Sequence, residues 1–178
     1  MDFLAHKETD SYQLIIASID ELCPEGNSKR QKEVLSSQKI IEIVYPKDRL
    51  EYDKHGAPQL SNGKAVSISH SNGLIALLIG KQSAAIDLEM ISEKALKISP
   101  KFLSKEELAL AKDAEHATLL WSAKECLFKI YKKGGLTFSK DLAIHSITKS
   151  QIECSLFEQK FTLHYEKLST HWLVYYFD

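Results

Sequence analysis

Asn72-Gly73 falls between two apolar, β-branched runs, Ala65-Val66-Ser67-Ile68-Ser69 and Leu74-Ile75-Ala76-Leu77-Leu78-Ile79. Asn-Gly in that setting is the strongest short-range signal for a hairpin, because both residues tolerate the positive φ that a tight turn demands. So short a connection can only join antiparallel strands; a parallel pair needs a crossover of a dozen residues or more. The expected turn is His70-Ser71-Asn72-Gly73, which puts His70 at a strand end between two hydroxyls, Ser69 and Ser71. A loop histidine is ordinarily solvent-exposed. The alternative is a phosphate contact, since a hairpin tip offers hydroxyl and backbone N–H donors beside the imidazole.

The other segments extend this antiparallel theme. Gln13 to Ile19 reads as a strand, and Pro24 and Gly26 break the loop that follows. Asn27 or Ser28 caps a helix running to about Val44, with Val34, Leu35, Ile40, Ile41 and Val44 inward, and Pro46 stops it. Residues 47–58 read as a charged, turn-rich run with a His55-Gly56-Ala57-Pro58 corner. A strand is expected at 84–89 and helices near 104–113 and 116–131, with Ser104 and Glu107 forming a capping box. Strands follow around 141–148, 151–157, 160–166 and 171–177. Strand, helix and meander occur twice, which predicts an α+β chain of two similar halves, each an antiparallel sheet packed with a long helix, as in a pseudo-dimer. The halves are expected at 1–82 and 83–178.

Composition narrows the function. With 178 residues the chain can bury a full core, and its net charge of −1 lacks the basic excess that a general nucleic-acid binder needs. Cys23, Cys126 and Cys154 are odd in number and widely spaced, with neither zinc spacing nor a disulfide framework, which suits a reducing cytoplasm. Met1 to Glu8 shows no basic stretch leading into an apolar run, so no signal peptide is expected, and no apolar run approaches the ~20 residues that span a bilayer.

Chemistry concentrates in two segments. In the strand Ala84-Ala85-Ile86-Asp87-Leu88-Glu89, alternation sends Asp87 and Glu89 to one face. In the helix beginning Trp121-Ser122-Ala123-Lys124-Glu125, Leu120, Ala123, Cys126, Leu127 and Ile130 form an apolar face, while Glu125 and Lys129 lie together on the opposite side. If that side meets the strand, three carboxylates and a lysine converge. Hard oxygen donors without cysteine or imidazole suit Mg²⁺, above all one shared with a substrate phosphate. The plainer reading is a solvated strand edge and an ordinary i,i+4 ion pair.

On these motifs the chain resembles the 4′-phosphopantetheinyl transferases, and within them the monomeric, two-half, surfactin-synthetase-activating type. The family's G-[IV]-D-x-E strand is matched by Ala85-Ile86-Asp87-Leu88-Glu89, and its W-x-x-K-E-x-x-x-K helix by Trp121 to Lys129. Its S-H-S hairpin is matched by Ser69-His70-Ser71, and its F-[FL]-S-x-x-E stretch by Phe102-Leu103-Ser104 to Glu107. The resemblance covers roughly residues 27–138 and implies the family fold and reaction. Phosphopantetheine would pass from coenzyme A to a serine of an acyl or peptidyl carrier protein, releasing 3′,5′-ADP. Asp87, Glu89 and Glu125 would hold Mg²⁺, with Mn²⁺ as an alternative. Glu125, directly or through a water, would act as base, with Lys129 on the phosphate, or the two roles could be exchanged; Asp87 completes the catalytic set. Ser69, His70, Lys124, Lys129 and Arg30 would contact coenzyme A, His70 and Ser69 at the 3′-phosphate. A monomer in the cytoplasm is expected, with no nucleic-acid or membrane partner.

The chain departs from the family pattern at Ala85, where glycine is usual, at Ala57, where the family has a phosphate-binding lysine, and at Gln38, where arginine is common. Lys54 or Lys64 is the expected substitute for the missing lysine. Two rival readings follow: a non-catalytic coenzyme A or carrier-protein binding module of the same fold, and a metal-dependent phosphodiesterase or nuclease.

Overall fold

The structure is a computed structural model that describes residues 3–25, 28–54 and 56–178. Gly26, Asn27 and His55, named above as a loop breaker, a cap and a corner residue, lie outside the described residues. The chain divides into two compact units, Met1–Ile86 with Phe177–Asp178, and Asp87–Tyr176.

In the first unit the elements are β1 (Ala5–Glu8), β2 (Tyr12–Ser18), the single turn α1 (Ile19–Leu22), α2 (Lys29–Val44), β3 (Leu50–Tyr52), β4 (Pro58–Leu60), β5 (Ala65–Ser71) and β6 (Leu74–Gly80). The strands form a six-stranded sheet in the order β1-β2-β6-β5-β4-β3, paired antiparallel. The hairpin turn is tighter than expected. Only Asn72 (φ 45°) and Gly73 (φ 81°) lie outside the strands, both in the left-handed region. His70 and Ser71 are therefore strand residues, opposite Ile75 and Leu74.

Ser28 caps α2, its hydroxyl accepting from the Gln31 amide. Ile15, Ala17, Ile40, Ile41, Val66, Ile75, Leu77 and Ile79 make the buried core beneath the helix, with Val44 packed against it. Val34 and Leu35, expected inward, are exposed instead, each at 40%. Leu35 lies about 140° around the helix from Ile40 at 100° per residue, so the two cannot share a face. Ser36 and Ser37 take the inward positions.

The second sheet begins with β7 (Ala84–Met90), followed by α3 (Glu93–Phe102), a 3₁₀ turn (Glu107–Leu110), α4 (Ala114–Tyr131), the short α5 (Phe138–Asp141), β8 (Leu142–Ile147), β9 (Gln151–Leu156), β10 (Gln159–Leu168) and β11 (His171–Phe177). Its order is β7-β11-β10-β9-β8, and β8 to β11 form the expected antiparallel meander. The chain is thus α+β, two antiparallel sheets with a long helix in each unit.

Two helix expectations are corrected. Residues 104–113 hold only the 3₁₀ turn, because Asp113 ends the segment by capping α4, accepting from the His116 amide at 2.8 Å. The capping box does form: Ser104 N donates to Glu107 Oε2 (2.7 Å) and Glu107 N to Ser104 Oγ (3.2 Å). Helix α3 was not expected at all. Its inward residues Ala95, Ser99 and Phe102 follow helical spacing, but Pro100 sits inside it and reads as a breaker. Among the described residues, no helix is long and apolar enough to cross a membrane.

Candidate active site

Alternation along β7 puts Asp87 and Glu89 on one side of the strand. On α4, Trp121, Ser122, Glu125 and Lys129 follow at i, i+1, i+4 and i+8, one stripe of a helix. Leu120, Ala123, Cys126 and Leu127 are buried as expected, and Ile130 is half-buried.

The stripe meets the strand. Lys129 Nζ lies 2.9 Å from Asp87 Oδ1. Ser122 Oγ donates to Asp87 Oδ2 at 2.8 Å, and Trp121 Nε1 to Glu89 Oε1 at 3.3 Å. Asp87 is 4% exposed, and its two oxygens are met by a hydroxyl and an ammonium, the partners a buried carboxylate needs. Glu125 feels the same crowding. Its carboxyl is pushed up to about 7, first by burial, then by the negative charges of Asp87 and Glu89, with Lys129 pulling the other way.

A divalent cation fits this donor set chemically. The three acids supply only hard oxygens, and their mutual repulsion, felt at Glu125, is what an added cation relieves. The arrangement is not closed around a metal position as it stands. Among the described residues, no group of three or more His, Cys, Asp or Glu is gathered to hold an ion. The ammonium of Lys129 supplies positive charge at Asp87 instead.

Lys124 is corrected. Expected on coenzyme A or facing solvent, it has no exposed surface. Its ammonium meets Glu107 Oε2 at 2.6 Å and the carbonyls of Phe102, Phe138 and Leu142 at 2.9–3.0 Å. Glu107 Oε1 accepts in turn from the Ile144 amide at 2.7 Å. Burial pulls the Lys124 pKa down, while the hydrogen bond and charge of Glu107 hold it up. The pair ties α3, the 3₁₀ turn, α5 and β8 to α4 at the residue next to Glu125.

The remaining candidates lie in the first unit. His70 shares the helix-facing side of β5 with Val66 and Ile68, and its Nε2 is 3.4 Å from Ser37 Oγ. Ser69 is buried on the opposite side, with Ser67, whose hydroxyl accepts from the Ile86 amide. The Ser69 hydroxyl and the His70 ring therefore do not form one joint pair, which corrects that expectation. Arg30 is exposed in the first turn of α2. Lys64 donates to the Tyr45 hydroxyl at 3.0 Å, and its ammonium lies 4.7 Å from that ring's centre.

Sequence reasoning missed two participants. Ser122 sits three residues before Glu125, a spacing that could have flagged it; Glu107 was read as a cap and as the end of the F-[FL]-S-x-x-E stretch, with no local signal for its burial at 4% exposure.

Crowded carboxylates beside a lysine are equipment for handling phosphate groups with the help of a cation. Residues 83–176 match the model of the 4′-phosphopantetheinyl transferase superfamily, and the chain belongs to that family. It is a transferase of the phosphopantetheinyl type, in a family that works with coenzyme A and a divalent metal ion on carrier proteins. No curated protein matches the chain closely enough to count as a relative.

Proposed function

We propose that this chain transfers 4′-phosphopantetheine from coenzyme A to a serine of an acyl or peptidyl carrier protein, using Mg²⁺ and releasing 3′,5′-ADP. The observation that carries the reading is the meeting of β7 and α4, where Asp87, Glu89, Glu125 and Lys129 share one electrostatic environment. Asp87, Glu89 and Glu125 would hold the cation, which when bound supplies charge neutralisation at the pyrophosphate.

Glu125 is our choice of base. It stands with Asp87 and Glu89 beside Lys129, where it would take the serine proton directly or through a water. Lys129 leaves Asp87 for a phosphate oxygen in this scheme. In the first unit, His70 and Arg30 are the proposed contacts to the adenosine phosphates, with Ser69 contributing separately from His70.

The test is a mass measurement. Apo carrier protein incubated with the enzyme, coenzyme A and Mg²⁺ should gain the phosphopantetheine mass, and chelation with EDTA should abolish the gain. Unmodified carrier across fatty-acid, polyketide and peptide-synthetase types would overturn the proposal. Coenzyme A binding without turnover would favour the non-catalytic module.

A further inference from the structure

Ser122 is fully buried on the stripe of α4 that also carries Thr118, Glu125 and Lys129. Packing there would be served equally well by alanine, and a buried hydroxyl is costly unless it finds a partner. Its partner is an acid, Asp87 Oδ2 at 2.8 Å; the Asp87 carbonyl lies farther, at 3.4 Å. A serine has one proton to give, so the shorter, charge-assisted contact takes it.

The neighbouring residue does the same for the next acid. Trp121 Nε1 addresses Glu89 Oε1, so two successive residues of α4 each donate to one of two carboxylates spaced two apart on β7. Asp87 is thereby gripped at both oxygens by different groups. Lys129, on Oδ1, is a long, partly exposed side chain that can exchange for another cation; Ser122, on Oδ2, is short and enclosed.

We propose that Ser122 is a positioning residue: its hydroxyl fixes the plane of the Asp87 carboxylate so that a divalent cation can replace Lys129 without the acid swinging. The inference rests on the metal role given to Asp87 above. Outer hydrogen-bond partners of this kind typically govern metal affinity by 10–100-fold.

The test measures Mn²⁺ binding directly, as the loss of the free-ion spin-resonance signal, with Mg²⁺ as competitor, on the full chain. Ser122→Ala should weaken Mn²⁺ by about tenfold or more, while Ser122→Thr, which keeps a hydroxyl, should bind closer to the parent. Without metal, Ser122→Ala should melt somewhat lower, having lost one hydrogen bond to a buried acid, while affinity for coenzyme A without metal should change little in either variant. Should Ser122→Ala fail to fold, Ser122→Cys gives the same comparison with a much weaker donor. Parent-like Mn²⁺ affinity in the alanine variant overturns the positioning role while leaving the metal reading intact. A parent protein that binds no Mn²⁺ overturns both.

Discussion

Replacing Lys124 with methionine keeps the length of an apolar stem but removes the ammonium. Four acceptors lose their donor at once: Glu107 Oε2 and the carbonyls of Phe102, Phe138 and Leu142. Glu107 is left 4% exposed, holding a charge with only the Ser104 and Ile144 amides facing it. Breaking a buried pair in this way costs about 3–5 kcal/mol, since one charge stays behind uncompensated. At about 2–4 °C per kcal/mol for a chain of this size, melting should fall by roughly 6–20 °C. Most of the penalty comes from the stranded carboxylate, so removing its charge should return much of it. Lys124→Met combined with Glu107→Gln should therefore melt well above Lys124→Met alone. Thermal melts by circular dichroism read both variants. A single-variant shift under about 3 °C (~1 kcal/mol), or a large shift that the second substitution leaves unchanged, would refute the reasoning.

Asp87→Ala should lower transfer at least ~10²-fold, the usual scale for losing one preorganised charge-stabilising group; turnover measured by carrier mass shift near the parent's would contradict its role. His70→Ala should raise the coenzyme A KM more than it lowers kcat, because the 3′-phosphate is remote from the bond that breaks. Steady-state kinetics check this, and a parent enzyme that uses dephospho-coenzyme A as well as coenzyme A would count against the assignment. Glu125 gives a pH signature in metal-free protein. Its folded pKa is raised from 4.5 to about 7, so its contribution favours the fold at low pH and is lost as pH rises through that window. Melting of the parent should therefore decline relative to Glu125→Gln between about pH 4.5 and 7, and a constant difference would argue against the raised value.

What could be read from the chain beforehand was whatever depends on neighbours in sequence. Asn72-Gly73 set a hairpin because turn geometry is local. The carboxylates on β7 and the Glu125 to Lys129 spacing followed from strand and helix periods. Lys124 was misread because periodicity gives a side chain's direction and says nothing of what lies there. Its true surroundings are an acid 17 residues earlier and carbonyls up to 22 residues away. Val34 and Leu35 misled for a related reason: two serines, polar by composition, fill the inward positions of α2. Helix α3 hid behind Pro100. Ser69 and His70 read as a pair along the sequence, yet adjacent strand residues face opposite ways.

The chain has two tryptophans, and their settings differ. The Trp172 indole is tied to a backbone carbonyl, that of Glu115, at 2.9 Å. The Trp121 indole instead leans on the carboxylate of Glu89, with the rings of Phe102 and Phe138 around it at 5.0 and 5.7 Å. Light emitted by Trp121 should therefore change in colour or brightness when Glu89 is claimed by an ion. With Trp172→Phe to silence the other fluorophore, the molecule carries its own optical gauge of occupancy, readable in a cuvette without label or substrate.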